Sequence, residues 1–330
     1  ILTIVINFTQ KIKLFIYVNR GNMKENKIYF VDVTNRDGVQ TSRLGLAKLQ
    51  KTIINLMLDD MGITQSEFGF PTTQHEINYL NGNLELVERG VISRTRLSGW
   101  ARGIASDVQL AFKNVPKLKY MNLSQSTSEQ MINGKYLGKK TPQDIISMIC
   151  EAVECAKALG AIDVGVNAED ASRSDIEFLI KYANEAKKAG ARRFRYCDTL
   201  GFEDPQTTYE RIYKIAQETE MPIELHFHND LGMAVACSVM GARAAIDAGV
   251  DAYINTAING MGERAGNADL VSCLLAILKS AGFRHRYNID PNIDLSKAWK
   301  LAKYTSYAFG VQIPINQPAV GDNAFAHESG

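Results

Sequence analysis

Apolar and polar positions along the chain fall into a repeating order. Short runs rich in β-branched and aromatic residues recur at 28–34 (IYFVDVT), 63–70 (ITQSEFGF), 94–99 (RTRLSG), 118–124 (LKYMNLS), 161–167 (AIDVGVN), 192–199 (RRFRYCDT), 223–228 (IELHFH) and 252–258 (AYINTAI). Between them lie stretches with helical spacing of apolar residues, such as DIISMICEAVECAKALG and DIEFLIKYANEAKKAG, each closed by the glycine that stops a helix. Eight strands alternating with helices predict an α/β fold, a parallel (β/α)8 TIM barrel. An open doubly wound sheet would show a glycine-rich phosphate loop after its first strand, and NRDGVQT stands there instead.

Chemistry in such barrels sits at the carboxyl ends of the strands. The polar residues gather there. Arg36 and Asp37 follow the first run, Glu67 lies in the second, and Asn122 and Ser124 end the fourth. Asn167, Glu169, Asp170 and Arg173 follow the fifth, Asp198 and Thr199 end the sixth, and His226, His228 and Asp230 close the seventh. Glu263, Arg264 and Asn267 come after the eighth. The long link between the fourth and fifth runs carries Gly134, Lys135, Gly138, Lys139 and Lys140, and is expected to be a mobile loop at the mouth. With a barrel over 23–282, residues 283–330 read as the start of a C-terminal subdomain, a helix (LSKAWKLAKYTSYAFG) followed by a loop.

Length and composition narrow this picture. A chain of 330 residues, 45% hydrophobic, can bury a large core, which suits one barrel with an appendage. The net charge is +1, from 37 basic and 36 acidic residues, and no basic run is interleaved with aromatics, so no nucleic-acid partner is expected. Five cysteines, an odd number with no CxxC pair, fit a reduced compartment, and a cytoplasmic location is expected. The first 22 residues mix a short apolar run with lysines ahead of Met23. They lack the layout of a signal peptide and are too short in apolar content to span a bilayer, so they read as an extension outside the fold, with no membrane partner.

His226 and His228 lie two apart on a strand, so both imidazoles point to one side of the sheet. Such a pair can share one ion, or can be satisfied by core hydrogen bonds. Asp37 ends another strand at the same rim, giving two imidazoles and a carboxylate, a set that suits Mn, Mg, Zn or Fe(II). Arg36, beside Asp37, keeps its charge at any working pH and can hold a polarised carbonyl or enolate oxygen; an Arg-Asp turn can equally be a solvated pair. Glu67 and Glu169 lie in or just after apolar strands, where a carboxylate must be paired or functional.

The set DVTNRDGVQ, EFGFPT, NAEDASR, DTLG, HFHNDLGMAVA, NGMGERAGNADL and NAFAHESG resembles the Claisen-condensing branch of the DRE-TIM metallolyases, which includes 2-isopropylmalate, homocitrate, citramalate and Re-type citrate synthases. The motifs run in order from 32 to 330. The resemblance implies a (β/α)8 barrel, a divalent metal as cofactor, acetyl-CoA as co-substrate and a 2-oxo acid as partner, with homodimerisation through the tail. By motif, it implies Asp37, His226, His228 and Asn267 as metal ligands, Arg36 as the group that stabilises the developing oxyanion, and Glu169 as a carboxylate of the catalytic network. It implies Thr199 as a contact to the substrate carboxylate; Gln40, Glu67 and Arg173, at the same strand ends, are expected at substrate-binding positions. A further histidine, supplied in that family by the partner subunit, lies a few residues past HESG, beyond Gly330; His327 is not its equivalent.

Strand parity puts Arg195 on the same face as Thr199. An interior arginine must be paired, either with a substrate carboxylate or in a structural ion pair. The first alternative favours a dicarboxylic 2-oxo acid, oxaloacetate or 2-oxoglutarate, over 2-oxoisovalerate. VTNRDGVQ, SEFGFPTTQHE and RFRYCDTLG are most similar to the Re-type citrate synthases, with homocitrate synthases next and isopropylmalate or citramalate synthases as the alternative. A lyase of the hydroxymethylglutaryl-CoA type would carry a cysteine in the loop where GMGERAGNAD has none, and the related aldolases a histidine near the position of Gln40. A catalytically impaired regulatory homologue is opposed by the intact Arg36, Asp37 and HxH set.

Overall fold

The computed structural model describes residues 26–283 and 286–328, so the expected extension over 1–22 lies outside the described residues. Eight parallel strands follow one another around a closed barrel: β1 (Lys27–Asp32), β2 (Gln65–Gly69), β3 (Arg96–Arg102), β4 (Tyr120–Ser126), β5 (Asp163–Glu169), β6 (Arg193–Asp198), β7 (Ile223–Phe227) and β8 (Ala252–Thr256). Closure comes from β1, which pairs with β8 from Ile28↔Ala252 to Asp32↔Thr256 and with β2 at Val31↔Gln65. All eight expected strands are present. The third runs past Gly99 to Arg102, which carries Trp100 into the barrel rim.

The helices are α1 (Lys48–Met61), α2 (Gln74–Glu88), α3 (Ala105–Asn114), α4 (Glu129–Tyr136), α5 (Pro142–Ala158), α6 (Ile176–Ala189), α7 (Pro205–Thr219), α8 (Ala234–Asp247), α9 (Leu270–Lys279) and α10 (Ala298–Phe309). Their starts are written locally. Thr141 accepts from the Asp144 N–H with proline at the first turn of α5, and Asp175 and Asp204 cap α6 and α7 in the same way. Among the described residues, no helix is long and apolar enough to cross a membrane.

The apolar core lies between the strands and the helices. Outward residues such as Met121, Leu123, Val164, Val166, Phe194 and Leu225 are fully buried there. Burial of this kind contributes about 1.5–3 kcal/mol for each large side chain. The lumen is different: it holds Gln65, Glu67, Asn122, Asn167, Arg193, Arg195, Glu224 and Asn255, all buried. Gly165 makes room for this polar filling, because a Cβ there would meet Asn122 Oδ1 at 2.2 Å. Gly165→Ala should therefore cost about 1–3 kcal/mol of stability through overpacking. A urea midpoint equal to the parent would show that Asn122 can move aside freely.

One segment differs from expectation. The link between β4 and β5, expected as a loop, contains α4, capped by the Ser128 hydroxyl on the Met131 N–H. Its sequence hides it, since the helix buries only Ile132 and is followed at once by Gly138 and lysines. The tail carries the expected helix and returns to the barrel: Asn288–Ile289 pairs with β1, and α10, with Leu301 and Ala302 buried, packs on α1, where Gln50 Nε2 donates to the Ala308 carbonyl.

Candidate metal and active site

The site grows from the carboxyl ends of the strands. After β1 the backbone N–H groups of Arg36, Asp37 and Gly38 all turn onto the Val33 carbonyl, a tight corner that aims Asp37 into the mouth. At the end of β7, His226 and His228 project from the same face, with ring centroids 5.0 Å apart and planes nearly perpendicular. Their close approach to the neighbouring loop depends on Gly201, whose backbone is left-handed and where a Cβ would lie 2.6 Å from the His228 carbonyl oxygen.

Asp37, His226 and His228 form a buried cluster whose ligand atoms all lie within 4.8 Å of one another. The Nε2 atoms of His226 and His228 lie 3.2 and 3.9 Å from Asp37 Oδ2. That oxygen, His228 Nδ1 and Asn267 Oδ1 are nevertheless buried without a hydrogen-bond partner among the described residues. A buried carboxylate oxygen without a partner, set between two imidazole Nε2 atoms, is what a divalent cation would satisfy. Asn267 is brought alongside by a backbone bridge to His228, and its amide nitrogen donates to the Met261 carbonyl. The Asn267 oxygen is thereby the atom left over.

The electrostatics fit a cation. Burial pushes the His228 imidazole down to about 4, reinforced by His226, so it stands neutral at pH 7 and its lone pair is available. Burial alone would raise the Asp37 carboxyl, but Arg36 and the two histidines outweigh it and hold the group well below the usual carboxylate range. Cys197, which also lines the cavity, is pushed far up by burial and stays a thiol.

Arg36 is held on three sides. Its Nε donates to Glu67 Oε1 at 2.7 Å, Nη1 reaches Gln40 Oε1 at 3.3 Å, and the guanidinium lies 5.6 Å from the centre of the Trp100 ring. Glu67 is shared: Arg195 Nη2 donates to its Oε2 at 2.5 Å and Asn122 Nδ2 at 2.6 Å. Burial would raise the Glu67 carboxyl, yet Arg195 and Arg36 bring it down to about 2. Glu67 thus orients Arg36 from below. Arg195, 1% exposed, also donates to Glu224 Oε1 through Nε and Nη2. The ion-pair alternative for Arg195 is therefore the one its bonds display, although it still forms part of the cavity floor.

Arg36, Asp37, Gln40, Glu169, Arg195, Thr199 and both histidines line one cavity of about 200 Å³. Glu169 Oε2 accepts from Ser126 Oγ at 2.7 Å and Lys135 Nζ at 2.5 Å. Thr199 Oγ1 accepts the Asp170 N–H at 2.8 Å, which leaves its own hydrogen to donate. Arg173 departs from expectation: it binds Asp170 through Nε and Nη2 and faces a neighbouring cavity of about 490 Å³ that contains none of the three ligands. That cavity is the larger of the two, but the Asp37, His226 and His228 cluster lines the smaller one. Trp100 and Ser126 were not singled out from sequence, although Trp100 had a signal, a tryptophan at the carboxyl end of a strand; Lys135 stood only in the expected loop at the mouth, without a role.

The family model described as HMGL-like matches residues 27–304. The chain is 60% identical over 304 residues to a protein named Citrate (Re)-synthase from Dehalococcoides mccartyi, covering 92% of this chain and 73% of that one. It is 38% identical over 307 residues to 2-isopropylmalate synthase 2 of Caldanaerobacter subterraneus subsp. tengcongensis, covering 93% and 75%. Among solved structures, hydroxymethylglutaryl-CoA lyase from Pseudomonas aeruginosa superposes with a TM-score of 0.68 at 17% identity over 92% of this chain and 98% of that one, a likeness of fold. With the barrel and the Asp-His-His corner already in place, the match over 27–304 makes the conclusion plain: the chain belongs to the HMGL-like family.

Proposed function

We propose that this protein catalyses a Claisen condensation of acetyl-CoA with a 2-oxo dicarboxylic acid, oxaloacetate, with hydrolysis of the thioester to give citrate. The observation that carries this reading is the buried cluster of Asp37, His226 and His228, with Asp37 Oδ2 lacking a hydrogen-bond partner among the described residues, beside the fixed charge of Arg36. The 60% identity to a Citrate (Re)-synthase supports the choice of oxaloacetate. Asp37, His226, His228 and Asn267 would hold a divalent cation, Mn, Mg, Zn or Fe(II), which when bound supplies Lewis-acid polarisation of the 2-oxo group.

The chain's own residues do the rest. Arg36, fixed by Glu67 and backed by Trp100, keeps a positive charge where the oxyanion develops, without reorganising during the reaction. The Thr199 hydroxyl donates to the substrate carboxylate, with the Asp170 N–H fixing the oxygen it donates from. Gln40, held by Arg36, borders the same space. Glu169 stands at the wall as the group that moves a proton, its Oε1 making no hydrogen bond among the described residues. Arg195 acts from beneath, its charge matched by Glu67 and Glu224; selection of a dicarboxylic acid through Arg195 is not part of this reading. A homodimer and a cytoplasmic location belong to the same proposal.

A coupled thiol-release assay tests it, with acetyl-CoA, a panel of divalent cations, and oxaloacetate, 2-oxoglutarate or 2-oxoisovalerate. Oxaloacetate should give the highest kcat/KM of the three, as the 60% identity to a Citrate (Re)-synthase supports. Turnover of 2-oxoisovalerate alone would overturn the substrate choice.

A further inference from the structure

Helix α4 lines the neighbouring cavity of about 490 Å³ through Glu129, Gln130, Ile132 and Asn133, and is held there on very little apolar contact. It is eight residues long, well below the length at which an isolated helix is stable, and Ile132 is its one buried residue. Polar clamps at its two ends hold it instead. At the start, the Ser128 hydroxyl caps the helix and donates to Asp170 Oδ2. Near the end, Lys135 Nζ reaches Glu169 Oε2 at 2.5 Å, and the Tyr136 hydroxyl donates to Gln125 Oε1 at 3.0 Å. The first clamp and the Lys135 clamp land on adjacent residues, and Asp170 itself sits in a left-handed conformation that a non-glycine residue rarely adopts.

We propose that Lys135 is a positioning residue for Glu169, and that α4 is tied to the wall of the active cavity by gripping that carboxylate. The inference rests on the reading of Glu169 as the group that moves a proton. Lys135 and Ser126 bind the same oxygen, Oε2, and this fixes the carboxylate plane while leaving Oε1 for the substrate. An exposed ion pair of this kind adds little to stability, and the Lys135 side chain is 47% exposed. What it supplies is orientation: the oxygen it grips belongs to a side chain that lines the active cavity, and the helix carrying it has little else to hold it down.

Lys135→Met, Lys135→Arg and Glu169→Gln in the full chain test the idea by two readouts. In thiol release with oxaloacetate, Lys135→Met should lose kcat roughly 10- to 100-fold, the range expected for a misplaced reacting group. The KM for oxaloacetate should stay within about 3-fold, since ground-state binding is untouched, and Lys135→Arg should recover most of the rate. Amide exchange across residues 129–136 should speed up in both Lys135→Met and Glu169→Gln. A Lys135→Met protein with parental kcat overturns the positioning role, even if its helix exchanges faster. Should the parent release thiol with none of the 2-oxo acids, the functional reading fails separately; parental exchange of 129–136 in Lys135→Met then overturns the clamp by itself.

Discussion

Asp37→Asn should fold and yet lose both its bound metal and about three orders of magnitude of thiol-release rate. The carboxylate supplies the one negative charge among the three clustered ligand groups, and its Oδ2 makes no hydrogen bond that an amide would forfeit. Arg36 keeps its stronger partner, Glu67 at 2.7 Å, against 3.4 Å for Asp37, so the fold has little reason to suffer. Metal content by elemental analysis should fall from about one per chain towards zero, since neutral ligands alone bind divalent ions weakly. The parent should also melt at a higher temperature when Mn²⁺ is added, by mass action on the folded state, and the variant should not. The burial that pushes His228 down to about 4 means that the site needs no large release of protons near neutrality. A variant that keeps the metal-dependent rise in melting temperature would remove Asp37 from the ligand set.

Glu67→Gln should be the most destabilising conservative change in the lumen. The carboxylate lies between two buried guanidiniums, and removing one member of such a group costs about 3–5 kcal/mol because the remaining charge is left in a poorly solvating interior. The pH dependence has a definite sign. The Glu67 carboxyl sits at about 2 in the fold, against an ordinary value of 4.5, so the unfolded chain binds its proton first on acidification. Its contribution is fully present above pH 4.5 and is lost as pH falls towards 2. Urea unfolding of the parent should weaken across that window, and the variant should show a flatter slope from a lower starting stability. Catalysis should fall too, because Arg36 loses the group that sets its angle. A neutral-pH midpoint equal to the parent would mean that Glu224 and Asp37 already neutralise the lumen.

Much of the site was legible because strand parity and the strand-end rule are local. HxH on one face, Asp37 after β1 and Thr199 after β6 needed only the order of apolar runs and the direction of alternate residues. Arg195 shows where that reasoning stops. Parity placed it inside, but Glu67 and Glu224 lie 128 and 29 residues away along the chain, so which carboxylates reach it is settled by barrel closure. Arg173 also follows a strand end, but its ion pair with Asp170 and its place at the neighbouring cavity depend on how the chain turns after β5. Helix α4 escaped notice because it is held by two polar clamps rather than by an apolar stripe, and periodicity detects only the stripe.

By itself, then, the sequence determined the eight-fold alternation, the barrel, the rim at which chemistry collects and the residue types able to hold a cation there, because hydrophobic period, capping and strand parity act over a few residues. Only the tertiary structure decided which of those rim residues share a cavity, that Arg195 is neutralised by Glu67 and Glu224, and that a short helix reaches over to Glu169. Those outcomes depend on atoms far apart in the chain meeting within hydrogen-bond distance, and on burial making unpaired charge too costly to leave in the lumen.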